Sequence, residues 1–233
     1  MALCPDVQKR AQANIDQLMS NRLPSLDDLE SLPYIRAIIK EVVRWGTAVP
    51  LGLPHALLKD DVYENYFIPK GTTVVGNIWY FLNFVLSFCF TKCNLIRRAM
   101  AHDEEVYPDP FHFDPSRYLG DNPQLDPFKF IFGFGHRICP GAHLAEVSLF
   151  FNISRILALF DISKPVDEYG NDVEQDFDWT SSVISYVRID FLDFCLYIET
   201  STLFRRHLGE FDCRITPRSD ERLALLGRHP TTT

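Results

Sequence analysis

The sequence lacks three features that would place it in a specialised class of protein. Its longest apolar run, Ile78–Phe90, is interrupted by Asn83 and Ser87 and falls short of the roughly 20 residues that span a membrane. Basic residues are not in excess, because 23 Lys and Arg face 31 Asp and Glu and the net charge is −8. No segment repeats another. The composition therefore argues against a membrane span in this stretch and against a nucleic-acid partner.

The chain also lacks a cysteine framework. Its six cysteines are scattered along the sequence, a pattern that fits a reducing compartment better than a disulfide scaffold. The first residues, from Met1 to Asp6, show no signal peptide or lipidation pattern. What the chain does have is 46% hydrophobic residues, which is typical of a globular protein with a sizeable core.

Local sequence signals predict three helices in the first 50 residues. The spacing of apolar residues predicts one helix over 5–20, and the stretch from Ser25 to Asp28 is typical of a capping signal for a short second helix. A longer helix opens at Pro33 and ends before Gly46 and Pro50. Its apolar residues follow the i, i+3, i+4, i+7 pattern of a buried face: Ile35, Ile38, Ile39, Val42 and Val43.

The centre of the chain favours strands and loops. Residues 66–68 and 72–75 are predicted as two strands joined by a type I turn at Pro69-Lys70-Gly71. Prolines make 101–120 loop-like, 172–187 and 211–217 are predicted as short strands, and the residues after about Ser219 as a frayed tail. This order predicts a mainly α fold with small β-sheets, an α+β architecture.

The stretch Phe132–Gly141 places a cysteine at the end of a Gly-rich loop. Pro140 suits the first position of the apolar helix that follows to about residue 160, so Cys139 is expected at a helix N-terminus, which favours a thiolate. His136, Cys139 and His143 have the spacing H-x2-C-x3-H, but a second ligand cluster for zinc is missing. Cys139 has two other interpretations: a catalytic nucleophile with a distant histidine base, or a buried structural cysteine.

Thiolate ligation of haem iron is the fourth option. It requires a stabilised thiolate, glycines for close backbone approach, an apolar wall and cations for the propionates. The loop offers each, with Phe132 and Phe134 as the wall and Arg137 as the cation.

The loop resembles the cysteine-loop signature F-x-x-G-x-R-x-C-x-G of the cytochrome P450 family at all five defined positions. Two upstream motifs occur in the family's order: Glu41-Val42-Val43-Arg44 matches E-x-x-R, and the segment from Phe113 to Tyr118 looks like the P-x-R-[FY] element. The resemblance covers residues 1–219 and is closest to microsomal-type enzymes of fungal style. It implies that 1–219 is the C-terminal part of the P450 haem domain and 220–233 a tail.

The resemblance also implies roles for individual residues. Cys139 is the axial ligand of the haem iron, and Phe132, Gly133 and Gly141 belong to its loop. Arg137 and His55 resemble positions that hold the haem propionates, and Ala56 stands where related sequences often have arginine. Glu41, Arg44 and Arg117 resemble a buried network that locks the loop in front of the haem. The residues that resemble substrate-side positions are Val49, Pro50, Leu51, Gly52, Val183 and Ile184.

The function implied is a haem-thiolate monooxygenase that inserts one atom of O2 into an apolar organic substrate. Its electrons would come from NADPH through a reductase, and the full-length parent would lie in the endoplasmic reticulum membrane. The expectation for this chain is narrower, because it has no A-G-x-x-T-like stretch, so the oxygen-activating helix and the anchor are expected to be missing. An inactive haem-binding remnant and a non-folding product of a misannotated gene are the alternatives.

Two segments fit the family poorly and are predicted to be retained introns. Without 80–98, the chain would read TTVVGNIW-AMAHDEEVYPDP, and without 189–209 it would read ISYVR-EFDC, as the family does. The codons of Trp79 and Tyr80 can hold a GT donor and the codon of Arg98 an AG acceptor. Arg188 and Gly209 allow the same at the second segment. A genuine surface insertion is the alternative reading.

Overall fold

Three helices pack against one another and carry the hydrophobic core. The computed structural model describes residues 1–19, 21–49, 53–76, 78, 100–173, 179–180, 207–208 and 212–227. The helices are α1, Pro5–Leu18, α2, Pro33–Trp45, and α3, Ala142–Leu159. The predicted fold class, mainly α with small sheets, is confirmed.

The core lies where the three helices meet. Ile15 of α1, Ile38 of α2 and Phe150 of α3 are fully buried in one cluster. The predicted apolar stripe of α2 is correct for Ile35, Ile38 and Ile39, each at most 1% exposed, whereas Val42 is half-buried at the edge. Burying such side chains supplies about 1.5–3 kcal/mol each, so this contact fixes α2 relative to α1 and α3.

Helix α3 starts later than the sequence predicts. Its first residue is Ala142, with Gly141 as the N-cap. Pro140 lies in the preceding turn, in which the Ala142 N–H donates to the Cys139 carbonyl at 3.2 Å. Among the described residues, α3 is the one helix that is long and apolar enough to cross a membrane. Its Phe150 and Leu157 lie in the core, and a core helix of a soluble protein has the same composition.

The strands form four separate antiparallel pairs in the described part of the chain. Each pair has only two strands, so the sheets are accessories to the helical core rather than a layer of their own. The pairs are β1, His55–Ala56, with β4, Thr73–Val74; β2, Asp61–Tyr63, with β3, Tyr66–Ile68; β5, Phe160–Ser163, with β8, Arg214–Pro217; and β6, Trp179–Thr180, with β7, His207–Leu208.

The strands predicted at 66–68 and 72–75 are present as β3 and β4, but they do not pair with each other. Strand β3 pairs instead with β2, and β4 pairs with β1. The β2–β3 hairpin closes through Glu64 and Asn65, which both have positive φ, 48° and 67°, as a type I′ turn requires. The sequence does not announce this hairpin because the turn contains no glycine.

A turn does form at Pro69-Lys70-Gly71, where the Thr72 N–H donates to the Pro69 carbonyl at 3.2 Å. Gly71 has φ +87° at the third turn position. Type II turns need a positive φ there, whereas type I turns do not, so the predicted turn type is wrong although the turn itself is present.

The C-terminal segment is anchored rather than frayed. Residues Asp220–Leu223 form a short helix, α4, and Leu225 is 7% exposed. Arg218 and Arg222 each form an ion pair with Asp16 of α1 at 2.6 Å. The prediction of a frayed tail is therefore wrong for 220–227.

Several predicted features lie outside the described residues. The first suspected insertion, 80–98, is one of them, and of 189–209 only β7 is described. The predicted strand 172–187 is described at 172, 173 and β6, and that at 211–217 is present as β8.

The β2–β3 turn generates a prediction. Glu64 has a positive φ, a conformation that its residue type disfavours and that Asn tolerates. Glu64→Asn should therefore raise the free energy of unfolding by about 0.5–1 kcal/mol. Urea unfolding measures the change. Exposed Glu104, which is not among the described residues with positive φ, gives the control Glu104→Asn. A lower midpoint for Glu64→Asn than for the control would contradict the assigned turn.

Candidate functional site

A carboxylate without solvent access lies at the centre of the polar core. Glu41 and Arg44 are both 0% exposed and lie one turn apart on α2. The Arg44 Nε and one terminal nitrogen donate to the two Glu41 carboxylate oxygens, each at 2.7 Å. The other terminal nitrogen donates to the Ala101 carbonyl at 2.7 Å. This is a bidentate pair, the arrangement that gives a buried ion pair its strength.

Three further donors complete the shell of Glu41. The Arg117 Nε lies 3.2 Å from Oε1, the backbone N–H of Asp114 donates to the same oxygen at 2.9 Å, and the Tyr118 hydroxyl donates to Oε2 at 3.1 Å. A carboxylate has about four lone-pair sites, so Glu41 is saturated. Its charge is therefore compensated although no water reaches it.

Arg117 holds residues 108–123, here called the irregular segment, beside α2. Its remaining nitrogens donate to the backbone carbonyls of Pro108, Asp109 and His112 and to the Gln124 side chain, at 3.0–3.3 Å. A single guanidinium thus fixes several points of a segment that has few regular backbone hydrogen bonds of its own. Of the predicted trio, Arg44 and Arg117 each contact Glu41 directly.

Two tyrosines line this network, and the sequence reasoning gave them no role. Burial raises the pKa of Tyr118, and the negative charge of Glu41 raises it further, so the hydroxyl stays protonated and serves as a donor. Burial also raises the pKa of Tyr107, whose ring lies 5.2 Å from the Arg44 guanidinium carbon. Tyr118 follows Arg117 directly in the P-x-R-[FY] element, which is the signal that marks it.

The cysteine loop folds back on itself just before α3. The Cys139 N–H donates to the Phe132 carbonyl at 2.7 Å, which closes the loop around the short 3₁₀ turn Gly135–Arg137. Gly133 has φ +92°, and a β-carbon there would lie 3.4 Å from the Arg137 carbonyl oxygen. Glycine is required at this position because any side chain would be strained.

The thiol of Cys139 is exposed and unpaired. A β-carbon on Gly141 would lie 3.6 Å from Sγ, so the backbone passes close to the sulfur. Cys139 lies three residues before α3, whose N-terminus carries partial positive charge that favours an anionic ligand atom. The expected position at a helix N-terminus is thus present, although the helix begins two residues later than predicted.

One aromatic contact holds the back of the loop, and its other side chains point outward. The half-buried Phe132 ring stacks on Phe128 with centroids 5.1 Å apart. Phe134 and Ile138 are 44% and 48% exposed, and Arg137 is exposed beside them. The loop therefore presents a soft sulfur, apolar side chains and a cation on its open surface.

These features fit a haem bound through thiolate. Iron accepts a cysteinate sulfur, the glycines permit close approach, and apolar side chains with a nearby arginine suit a flat ring that carries propionates. The zinc reading is not supported, because no group of three His, Cys, Asp or Glu side chains in the described part of the chain converges as a metal site. His136 and His143 are exposed.

The other predicted site residues lie elsewhere. His55 is exposed in β1 and paired with Val74. The β1–β4 sheet approaches the cysteine loop at Gly76, where a β-carbon would lie 3.2 Å from the Phe134 ring, a contact the sequence did not indicate. Val49 is half-buried after α2. The remaining substrate-side candidates, Pro50, Leu51, Gly52, Val183 and Ile184, lie outside the described residues.

Comparison with known proteins gives one consistent result. The family model described as cytochrome P450 matches residues 1–83 and 91–183. Curated relatives include cytochrome P450 monooxygenase claR of Ampulloclitocybe clavipes, 39% identical over 97% of this chain, monooxygenase 208 of Postia placenta, 40% identical over 94%, and monooxygenase ple1 of Rhodocybe pseudopiperita, 37% identical over 100%. The chain spans 36–38% of the length of these three relatives.

The network around Glu41 predicts a large effect of a conservative change. Arg117→Lys should lower the free energy of unfolding by about 3 kcal/mol, because one ammonium cannot replace the fork and Glu41 is left partly unpaired in the core. Chemical denaturation measures the loss. The matched control is Arg36→Lys at the exposed pair with Glu30, expected to change stability by less than about 1 kcal/mol. Equal effects of the two variants would contradict the structural role given to Arg117.

Proposed function

The chain belongs to the cytochrome P450 family, and we propose that it forms the haem-ligating part of a monooxygenase. The reaction proposed is insertion of one atom of O2 into an apolar organic substrate, with the other atom leaving as water. The single observation that carries the proposal is the exposed Cys139 thiol, closely approached by Gly141 at the start of α3.

Five residues of the loop, together with His55 of β1, have roles in this proposal. Cys139 ligates the haem iron, Arg137 and His55 hold the propionates, and Gly133 and Gly141 let the backbone lie close to the sulfur. Phe132 shields the sulfur from water on the protein side. The bound haem supplies the iron at which O2 is activated, and a thiolate ligand favours O–O cleavage by its electron density. Glu41, Arg44 and Arg117 act on the fold and do not touch the reacting atoms.

The partners proposed follow the family. Electrons come from NADPH through a reductase, and the substrate is a small apolar organic molecule. Val49, Leu51, Val183 and Ile184 are proposed to face it. The full-length protein is proposed to lie in the endoplasmic reticulum membrane. Because the relatives are longer than this chain, these assignments concern the whole protein.

The test is the spectrum of the reduced, CO-bound protein. We expect the chain expressed with haem available to show the red-shifted Soret band of thiolate ligation, and Cys139→Ser to lose that band, because an alcohol oxygen cannot replace the thiolate. Cys213→Ser, at a half-buried cysteine outside the loop, is the matched control and should retain it. Circular dichroism establishes that each variant is folded.

Two results would contradict the proposal. One is a red-shifted band that survives in Cys139→Ser, since another residue would then ligate the iron. The other is folded, unsubstituted chain that takes up no haem.

We also propose that 80–98 and 189–209 are retained introns. In support, the family match is interrupted at 84–90, inside the first segment, of which it includes 80–83 and 91–98, and it ends at 183, before the second segment. Sequencing the mature transcript is the test. We expect spliced messages in which Trp79 joins directly to Ala99 and Arg188 to Glu210, and mature messages that consistently retain both segments would contradict the idea.

A further inference from the structure

Residues 124–126, here called the tether, join the buried network to the cysteine loop. Each of the three is held by a different group. The backbone N–H of Gln124 donates to the Arg117 carbonyl at 2.9 Å, and the Arg117 guanidinium donates to the Gln124 side chain at 3.0 Å. The Tyr107 hydroxyl donates to the Leu125 carbonyl at 2.7 Å. The tether therefore cannot shift without disturbing the residues that surround Glu41.

Asp126 ends the tether and uses both carboxylate oxygens. One oxygen lies 2.7 Å from the Lys40 ammonium of α2, and the other accepts from the Phe128 N–H at 3.0 Å. The second contact makes Asp126 the N-cap of the 3₁₀ turn Pro127–Lys129. Lys40 directly precedes Glu41 in α2. Two adjacent side chains of this helix therefore serve the two parts: Glu41 lies in the buried network, and Lys40 binds Asp126 of the tether.

The turn that Asp126 caps carries the aromatic support of the loop. Phe128 stacks on Phe132 with centroids 5.1 Å apart, and the Phe132 carbonyl accepts from the Cys139 N–H at 2.7 Å. The contacts thus run without a gap from Lys40 through Asp126, Phe128 and Phe132 to Cys139. We propose that Asp126, paired with Lys40, is a positioning residue that fixes the Phe128–Phe132 ring pair and thereby the backbone of Cys139.

Partial burial distinguishes this pair from an ordinary surface ion pair. The Lys40 and Asp126 side chains are 24% and 32% exposed, and the Lys40 ammonium lies 6.0 Å from the centre of the Tyr118 ring. The cap and the ion pair share one carboxylate, so each holds it in the orientation that the other requires. Asp126→Asn separates the two contributions, because Asn still offers an acceptor to the Phe128 N–H but has no charge for Lys40.

Hydrogen exchange at the Cys139 amide reads this position without haem. In the full chain without haem, Asp126→Asn and Lys40→Met should each speed exchange of that amide about twofold to fivefold, the range for loss of a partly exposed ion pair. The double variant should be no faster than either single one, because both remove the same contact. Asp126→Ala, which also removes the cap, should be faster than Asp126→Asn. Lys40→Arg, which keeps the positive charge, should leave the exchange rate of the Cys139 amide the same as in the unsubstituted chain.

Two controls separate positioning from a general loss of stability. Amides of α3 around Phe150 should exchange at unchanged rates in every variant. Arg36→Met removes a cation and the ion pair with exposed Glu30 on the same helix and should leave Cys139 unchanged. Unsubstituted rates at Cys139 in both Asp126→Asn and Lys40→Met would overturn the inference, as would an equal increase in Arg36→Met.

A second measurement uses the haem-bound protein, and it rests on the proposed function. In the reduced, CO-bound protein, Asp126→Asn and Lys40→Met should lower the fraction that shows the thiolate Soret band, whereas Arg36→Met should not. An unchanged fraction in both tether variants would overturn the inference even if the loop exchanges faster. If the folded chain binds no haem, the proposed function is contradicted, and the exchange rates alone decide the role of Asp126.

Discussion

The structure depends on the neutralisation of one buried carboxylate. Glu41 has no contact with water, and taking an unpaired charge of this kind out of water costs several kcal/mol. Arg44 compensates it from the same helix, but the remaining donors come from the segment around Arg117, far along the chain. Helix α2 can therefore pack with its polar side inward only when that segment is in place. Contacts connect Glu41 in turn to the irregular segment, to the tether and to the cysteine loop.

The sequence predicted the parts of this arrangement that depend on local spacing. The i, i+3, i+4 pattern located α2, and its buried Ile35, Ile38 and Ile39 followed from the period of the helix. The E-x-x-R spacing put Glu41 and Arg44 on one face. Cys139 was marked by the glycines and proline around it. In each case a short stretch carries the whole signal.

What the sequence did not predict depends on residues that meet through the fold. The β2–β3 hairpin was missed because Glu64 adopts a positive φ that its residue type disfavours. The end of the chain was predicted to fray, since a sequence gives no sign that Arg218 and Arg222 will meet Asp16. The pair of Lys40 with Asp126 escaped for the same reason, and so did the place of Tyr107 beneath Arg44. Surface charges and buried charges look alike until their partners are known.

The separation of Glu41 and Arg117 in the sequence has a further consequence for the segment between them. The two residues are 76 positions apart, and residues 80–98 lie inside the loop that their contact closes. The conformational entropy lost on closing a flexible loop grows only with the logarithm of its length, so removing a quarter of this loop changes the closure free energy by a few tenths of a kcal/mol, on the order of thermal energy. The contact between Glu41 and Arg117 therefore closes at nearly the same free energy whether or not the mature protein carries residues 80–98.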